Sequence, residues 1–247
     1  PVLVLLAAEA VGADPKVALP VACAIEFIHT YSLIHDDLPA IDDDTLRRGS
    51  ATCHVKFGEN IAIMAGDALF AEAFVLILTE QVKLTDTQRL VRTLREVAVA
   101  TGIDGMVGGQ VVDIMSAGHD VDQSTLEYIH NHKTGSLIVA SARCGAILGG
   151  ADEAQLEAIT SYAGHLGLTF QIIDDILDIV GTDSTLGKNV GSDINNQKIT
   201  FPGKLGVNRS KEIAEATAKL AEEALGGAEM YRDRLNDMSN FVLGRKS

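Results

Sequence analysis

Six aspartates carry the most specific chemistry this chain could do: Asp36, Asp37 and Asp42 in one cluster, Asp174, Asp175 and Asp178 in another. Both clusters follow apolar runs, Tyr31-Ser32-Leu33-Ile34 before the first and Phe170-Gln171-Ile172-Ile173 before the second. A carboxylate in such surroundings costs free energy unless a cation meets it. Carboxylate oxygens are hard ligands, the kind Mg²⁺ takes when it also holds substrate phosphates. The pattern therefore predicts a two-sided magnesium site for a phosphorylated ligand.

The two clusters differ in geometry. Asp174 and Asp178 are four residues apart and share a face of a helix, with Asp175 beside them. Three carboxylates on one turn repel one another unless metal occupies that face. Pro39 cannot continue a helix and pushes Leu38 towards an extended conformation, so Asp36 and Asp37 are expected near a helix C-terminus, with Asp42 returning from the next turn. Negative charge at that end opposes the helix dipole, which again suggests metal compensation. Arg47 and Arg48 follow directly, and arginine forks match phosphate oxygens. Lys133-Thr134-Gly135 sets an ammonium beside a hydroxyl, Gln110 and Asp113 fall on one helix, and His29 lies one or two turns before Asp36. Taken singly, these are also consistent with a plain surface lysine and a hydrogen-bonded core histidine.

The elements that must hold these groups read as helices almost throughout, because apolar residues recur at three- and four-residue intervals and β-branched alternation is rare. Helices are expected at about 2–11, 17–37, 58–81, 86–102, 105–116, 123–132, 134–149, 152–180 and 210–225. Asp86, Ser124 and Asp152 are candidate N-caps, with Gly102 and Gly150 as stops. The stretches 61–78 and 134–149 have little polar face and are expected to be buried on most sides. The segment Gly181–Gly206 breaks the pattern with Gly, Asn, Asp and Ser, and carries Lys188, Lys198 and Lys204. A loop of that size beside a metal site suits a basic phosphate cover. No repeat or linker divides the chain, so residues 1–247 are read as one all-α domain.

Composition narrows the partners. A net charge of −14 disfavours nucleic acid and anionic membrane surfaces, and an anionic substrate would need local cations. Three cysteines without a CxxC pair exclude a zinc ribbon and point to a reducing compartment, read as cytoplasmic. Glu9, Glu26, Asp67 and Glu72 interrupt the apolar stretches, so no membrane span is expected. The chain opens inside an apolar run, Pro1-Val2-Leu3-Val4-Leu5-Leu6, and an upstream helix is expected.

Together these residues resemble the trans-polyprenyl diphosphate synthases, the farnesyl/geranylgeranyl diphosphate synthase family. Ser32-Leu33-Ile34-His35-Asp36-Asp37-Leu38-Pro39-Ala40-Ile41-Asp42 is similar to the family's first aspartate-rich motif in its longer form, followed by Arg47-Arg48-Gly49. Phe170-Gln171-Ile172-Ile173-Asp174-Asp175-Ile176-Leu177-Asp178 is similar to the second. Ala65-Gly66-Asp67-Ala68-Leu69, Gly109-Gln110, Lys133-Thr134-Gly135 and Leu186-Gly187-Lys188 also match in order.

The resemblance implies an orthogonal all-α bundle of the isoprenoid synthase type around a deep central cavity, as a homodimer. It implies head-to-tail condensation of an allylic diphosphate (dimethylallyl or geranyl) with isopentenyl diphosphate, and a cluster of about three Mg²⁺ ions, replaceable by Mn²⁺. Asp36, Asp42 and Asp174 would hold the ions, with Asp37, Asp175 and Asp178 counted among the metal residues. Arg47, Lys133 and Lys188 would bind the allylic diphosphate, Arg48 and His29 isopentenyl diphosphate, and Lys198 would add a further cation. Thr134 and Gln171 would face the reacting carbons. Tyr31, five residues before Asp36, resembles the aromatic floor that limits the product to farnesyl diphosphate, with geranylgeranyl diphosphate next. The family places a basic segment immediately before an Arg-Pro-Val-Leu stretch, and this sequence begins at Pro1-Val2-Leu3. A class I terpene cyclase would carry an Asn/Ser/Glu-based second motif, and this chain has no tryptophan to cradle cyclic cations. A non-catalytic partner subunit would have lost one aspartate motif. A metal phosphohydrolase built on His35-Asp36 would need further histidines at metal spacing.

Overall fold

The computed structural model describes residues 1–119, 121–180 and 199–245. Twelve α-helices make up most of the described residues: α1 (Val2–Ala10), α2 (Leu19–Asp36), α3 (Cys53–Phe57), α4 (Glu59–Thr79), α5 (Thr87–Thr101), α6 (Met106–Ser116), α7 (Gln123–Ile129), α8 (Ser136–Gly149), α9 (Glu153–Val180), α10 (Phe201–Leu205), α11 (Val207–Ala224) and α12 (Asp233–Leu243). One two-stranded hairpin, β1 (Leu46–Arg47) with β2 (Ser50–Ala51), interrupts them.

Helix ends follow local chemistry. The Asp86 carboxylate accepts from the Arg89 N–H at 2.9 Å and Asp152 from Gln155 at 2.8 Å, as capping predicts. Gly150 ends α8 in the left-handed region at φ 88°. At α7 the cap is Asp122 rather than Ser124: its carboxylate accepts from the Thr125 N–H at 2.8 Å. Three short helices escaped the periodicity, α3, α10 and α12, and α10 falls within the stretch expected to be loop. The expected break between 132 and 134 is instead a π-helical turn over His130–Gly135 that carries α7 into α8. A wide turn accommodates an extra residue without ending the helix, and its polar run Asn131-His132-Lys133-Thr134 mimics a junction in sequence.

The core forms around α8, whose Leu137, Ala140, Ala142, Cys144, Ala146, Ile147 and Leu148 are all buried, as its apolar composition predicted. Small residues let α1 approach closely: a Cβ on Gly145 would sit 2.0 Å from the Val4 carbonyl oxygen. Arg143 ties three helices together. Its Nε and Nη2 each donate to Glu96 of α5 at 2.8 Å, and its Nη1 reaches Thr160 of α9 at 2.6 Å. Helices α2 and α4 lie side by side, and Gly66 leaves the space that the His35 ring fills.

Helix α4 corrects one expectation. Only Ala62, Gly66, Ala73 and Ile77 of it are buried, while Ile61, Ile63, Met64, Val75 and Leu78 are exposed. Ala73 and Ile77 join the core, with Phe70, Phe74 and Leu76 packed against it, while the exposed side carries large apolar residues, so the missing polar face reflects in part an exposed apolar surface. Three helical stretches, Pro15–Asp36, Glu59–Lys83 and Thr87–Ser116, are long and apolar enough to cross a membrane by length and composition alone.

Helix α9 meets α12 through Tyr162, fully buried, whose hydroxyl donates to the Leu235 carbonyl at 2.7 Å. Tyr162→Phe is expected to lower stability by about 1 kcal/mol, read as a lower denaturant midpoint with an unchanged slope.

Candidate active site

A cavity of about 960 Å³ opens between α2, α6, α8, α9 and the C-terminal residues, and the aspartate clusters meet it from opposite sides. On one side α2 stops at Asp36, three residues before Pro39. The chain then folds back so that the Asp42 N–H donates to the Asp36 carbonyl at 2.9 Å. That bond sets Asp42 beside Asp36, and both line the cavity.

Asp37 takes another role. It is 3% exposed and accepts from Arg47 Nε at 3.0 Å and from Arg47 Nη2. Arg47 Nη2 also reaches Asp44 at 3.1 Å. Burial pushes the Asp37 carboxyl upward, and the hydrogen bond and charge of Arg47 pull it back. Arg47 is thereby fixed at the cavity wall by two acids. The hairpin that delivers it has Arg48 at φ 52° and Gly49 at φ 75°, the two-residue turn whose twist matches its strands. A non-glycine residue there costs roughly 1–2 kcal/mol. The Arg48 guanidinium lies at the exposed edge of the cavity, 3.9 Å from Glu26.

The second wall divides its aspartates by depth. Asp174 is partly exposed on the cavity, 3.8 Å from Arg245, whose guanidinium lies 4.6 Å above the Phe170 ring. Asp175 and Asp178 are 2% and 1% exposed, and Asp178 does not line the cavity. Asp175 accepts from Gln171 Nε2 at 2.8 Å and from the Phe201 N–H at 3.1 Å. Gln171 Oε1 in turn accepts from the Thr134 hydroxyl at 2.8 Å.

The π turn places Lys133 and Thr134. Helix α6 packs so tightly on it that a Cβ at Gly109 would lie 2.2 Å from the Lys133 nitrogen. Lys133 Nζ pairs with Asp113 of α6 at 2.7 Å, at the cavity edge. Burial holds the His130 imidazole down near pKa about 4, so it is neutral. It stacks on Phe201, with its Nε2 3.6 Å from Asp175. His29 lines the cavity, its pKa lowered chiefly by burial. Tyr31 is pushed up to about 12, first by burial and then by the charge of Asp36, so its phenol stays neutral. Its ring meets His35 edge-on at 5.7 Å and Phe70 at 5.0 Å, and Phe70 meets Phe74 at 5.3 Å.

The cavity thus brings together His29, Tyr31, Asp36, Asp42, Arg47, Arg48, Lys133, Thr134, Gln171, Asp174 and Asp175. Lys188 and Lys198 lie outside the described residues. Among the described residues no three acids or histidines converge closely enough to hold a metal by themselves. The donor set nonetheless fits magnesium, which keeps several waters and takes one or two carboxylates together with substrate phosphates. The sequence set Asp113 on one helix with Gln110 without pairing it to Lys133, and gave no role to Arg245. Nothing local marks Arg245.

An all-α bundle with carboxylates on both walls of an apolar cavity is the architecture of enzymes that ionise prenyl diphosphates. The polyprenyl synthetase family model matches residues 1–236, and the chain belongs to that family. It is 48% identical over 246 residues to the farnesyl diphosphate synthase of Geobacillus stearothermophilus, covering 99% of this chain and 82% of that one. It is 44% identical over 252 residues to the geranylgeranyl diphosphate synthase of Cyanophora paradoxa, covering 100% and 82%. Among solved structures, the polyprenyl synthase from Caulobacter crescentus CB15, complexed with calcium and isoprenyl diphosphate, superposes with a TM-score of 0.89 at 28% identity, covering 100% of this chain and 84% of that chain.

Glycine substitutions test the packing behind the site. Gly109→Ala drives a Cβ into the Lys133 backbone, which has no flexible end to yield, and is expected to cost about 1–3 kcal/mol and to displace Lys133 and Thr134. Gly164 of α9 has open space where its Cβ would be, so Gly164→Ala is expected to stabilise by about 0.5–1 kcal/mol. Thermal melts of the two variants should move in opposite directions.

Proposed function

We propose that the chain condenses an allylic diphosphate with isopentenyl diphosphate, head to tail, to give farnesyl diphosphate as main product. It is a prenyltransferase making short-chain prenyl diphosphates, consistent with its farnesyl and geranylgeranyl diphosphate synthase relatives. The observation that carries the mechanism is the placement of Asp36 and Asp42 opposite Asp174 across a largely apolar cavity. The expectation of six metal-facing aspartates narrows to these three. Asp37 is committed to Arg47, while Asp175 and Asp178 are buried in the body of α9.

Magnesium, when bound, supplies the positive charge that neutralises pyrophosphate as the allylic C–O bond breaks. Arg47, held by Asp37 and Asp44, presents its remaining face to the diphosphate, and Lys133 exchanges Asp113 for phosphate oxygen. Lys188 and Lys198 would add cations from outside the described residues. Arg48 and His29 receive isopentenyl diphosphate. Oxygen atoms of Thr134 and Gln171 face the reacting carbons, and Ile138, Leu137 and Phe170 exclude the water that would quench a carbocation. The new bond forms from the isopentenyl alkene to the allylic carbon, and a proton leaves to the released pyrophosphate.

The tail grows along α2 until it meets Tyr31, whose ring is braced by Phe70 and His35. A braced aromatic floor one turn above the aspartates favours the farnesyl length. The exposed apolar face of α4 suits a second copy of the chain, which supports a homodimer. The three free cysteines fit a reducing compartment such as the cytoplasm.

Incubation with Mg²⁺, labelled isopentenyl diphosphate and dimethylallyl or geranyl diphosphate should yield farnesyl diphosphate, and chelation should abolish turnover. Inorganic phosphate or a cyclic hydrocarbon as product would reject the reading. Tyr31→Ala should shift products to geranylgeranyl diphosphate and longer at similar total incorporation. An unchanged product profile would remove Tyr31 as the floor.

A further inference from the structure

We propose that Asp175 is a positioning residue that acts through Gln171 to aim the Thr134 hydroxyl, so that oxygen lone pairs rather than a proton face the reacting carbons. This rests on the prenyl-transfer reading above. Three hydrogen bonds carry it. Asp175 Oδ1 accepts from Gln171 Nε2 at 2.8 Å, Asp175 Oδ2 accepts from the Phe201 N–H at 3.1 Å, and Gln171 Oε1 accepts from Thr134 Oγ1 at 2.8 Å.

The direction of the chain follows from donor and acceptor inventories. An ionised carboxylate only accepts, so the Gln171 amide must turn its NH₂ towards Asp175; the flipped amide would set its oxygen against the carboxylate. The amide oxygen then points at Thr134. A hydroxyl has one proton, and Thr134 gives it to that oxygen, leaving its lone pairs for the cavity that Thr134 and Gln171 both line. An allylic cation forming in a water-poor space is stabilised by a fixed negative dipole end and destabilised by a positive one. Asp175 is well placed to keep this polarity. It is 2% exposed, and the Phe201 N–H binds its second oxygen, anchoring the start of α10 to α9. Asp174, one residue earlier, is the aspartate that looks across the cavity at Asp36 and Asp42.

The test uses enzyme shown to elongate allylic diphosphates. An inactive wild-type protein would reject the functional reading itself, and the inference with it. In Asp175→Asn the new side-chain amide can donate to Gln171 Oε1, which lets the Gln171 amide flip and turns the Thr134 proton towards the cavity. Asp175→Asn is therefore expected to lower kcat by about 10²- to 10³-fold. KM for both diphosphates and the half-saturating Mg²⁺ concentration should stay within about twofold. Adding Thr134→Val to Asp175→Asn should cost little more than either alone, because the two act as one unit. A raised Mg²⁺ requirement with kcat restored at high Mg²⁺ would make Asp175 a metal ligand and overturn the proposal. Additive losses in the double variant would overturn it as well. Should Asp175→Asn fail to fold, Gln171→Met breaks the same relay with the carboxylate intact, and a wild-type kcat in that variant would overturn the proposal.

Discussion

The rest of this molecule is arranged around carboxylates that cannot be brought together. Asp36 and Asp42 on one wall and Asp174 on the other would repel each other at contact distance and lose hydration in an apolar cavity. Holding them apart on separate walls spares each the repulsion of the others. A small protein cannot hold such a gap open unless its walls are stiff. Helices α2 and α9, the latter 28 residues long, provide the walls, and the buried α8 beside them keeps the spacing.

The basic groups are held in reserve by the same logic. Arg47 is tied to Asp37 and Asp44, Lys133 to Asp113, and Arg245 lies near Asp174. Each ion pair is partly open, which keeps a desolvated cation from being stranded and leaves donor capacity for an incoming phosphate. A chain of net charge −14 needs this arrangement, since its average field repels the anions it is read to bind. Cations presented singly at a concave wall overcome that field locally.

Small residues do as much as charged ones. Gly109 lets α6 touch the π turn, Gly66 admits the His35 ring, and Gly145 seats α1 on α8. In each case backbone or ring occupies the volume of a missing side chain, so element positions are fixed to fractions of an ångström. Helix α4 packs Ala73, Ile77, Phe70 and Phe74 inward and still leaves Ile61, Ile63, Met64, Val75 and Leu78 exposed.

The sequence by itself determined the helical class, most helix boundaries, the two aspartate clusters and the break at Pro39, because these rest on periodicity, capping and ring geometry within a few residues. Ordered motifs added the family. Tertiary structure decided which carboxylates look into the cavity. Asp174 and Asp175 are neighbours in sequence and both line the cavity, yet Asp174 is partly exposed while Asp175 is buried and hydrogen-bonded to Gln171 and the Phe201 N–H. Adjacent positions on a helix point about 100° apart, and only the packing of α10 and the π turn fixes which direction is solvent. Asp113 and Arg245 were decided the same way, since their partners, 20 and 71 residues distant, meet them only once the helices have packed. Periodicity reads one helix at a time, whereas a site is a property of the several that surround it.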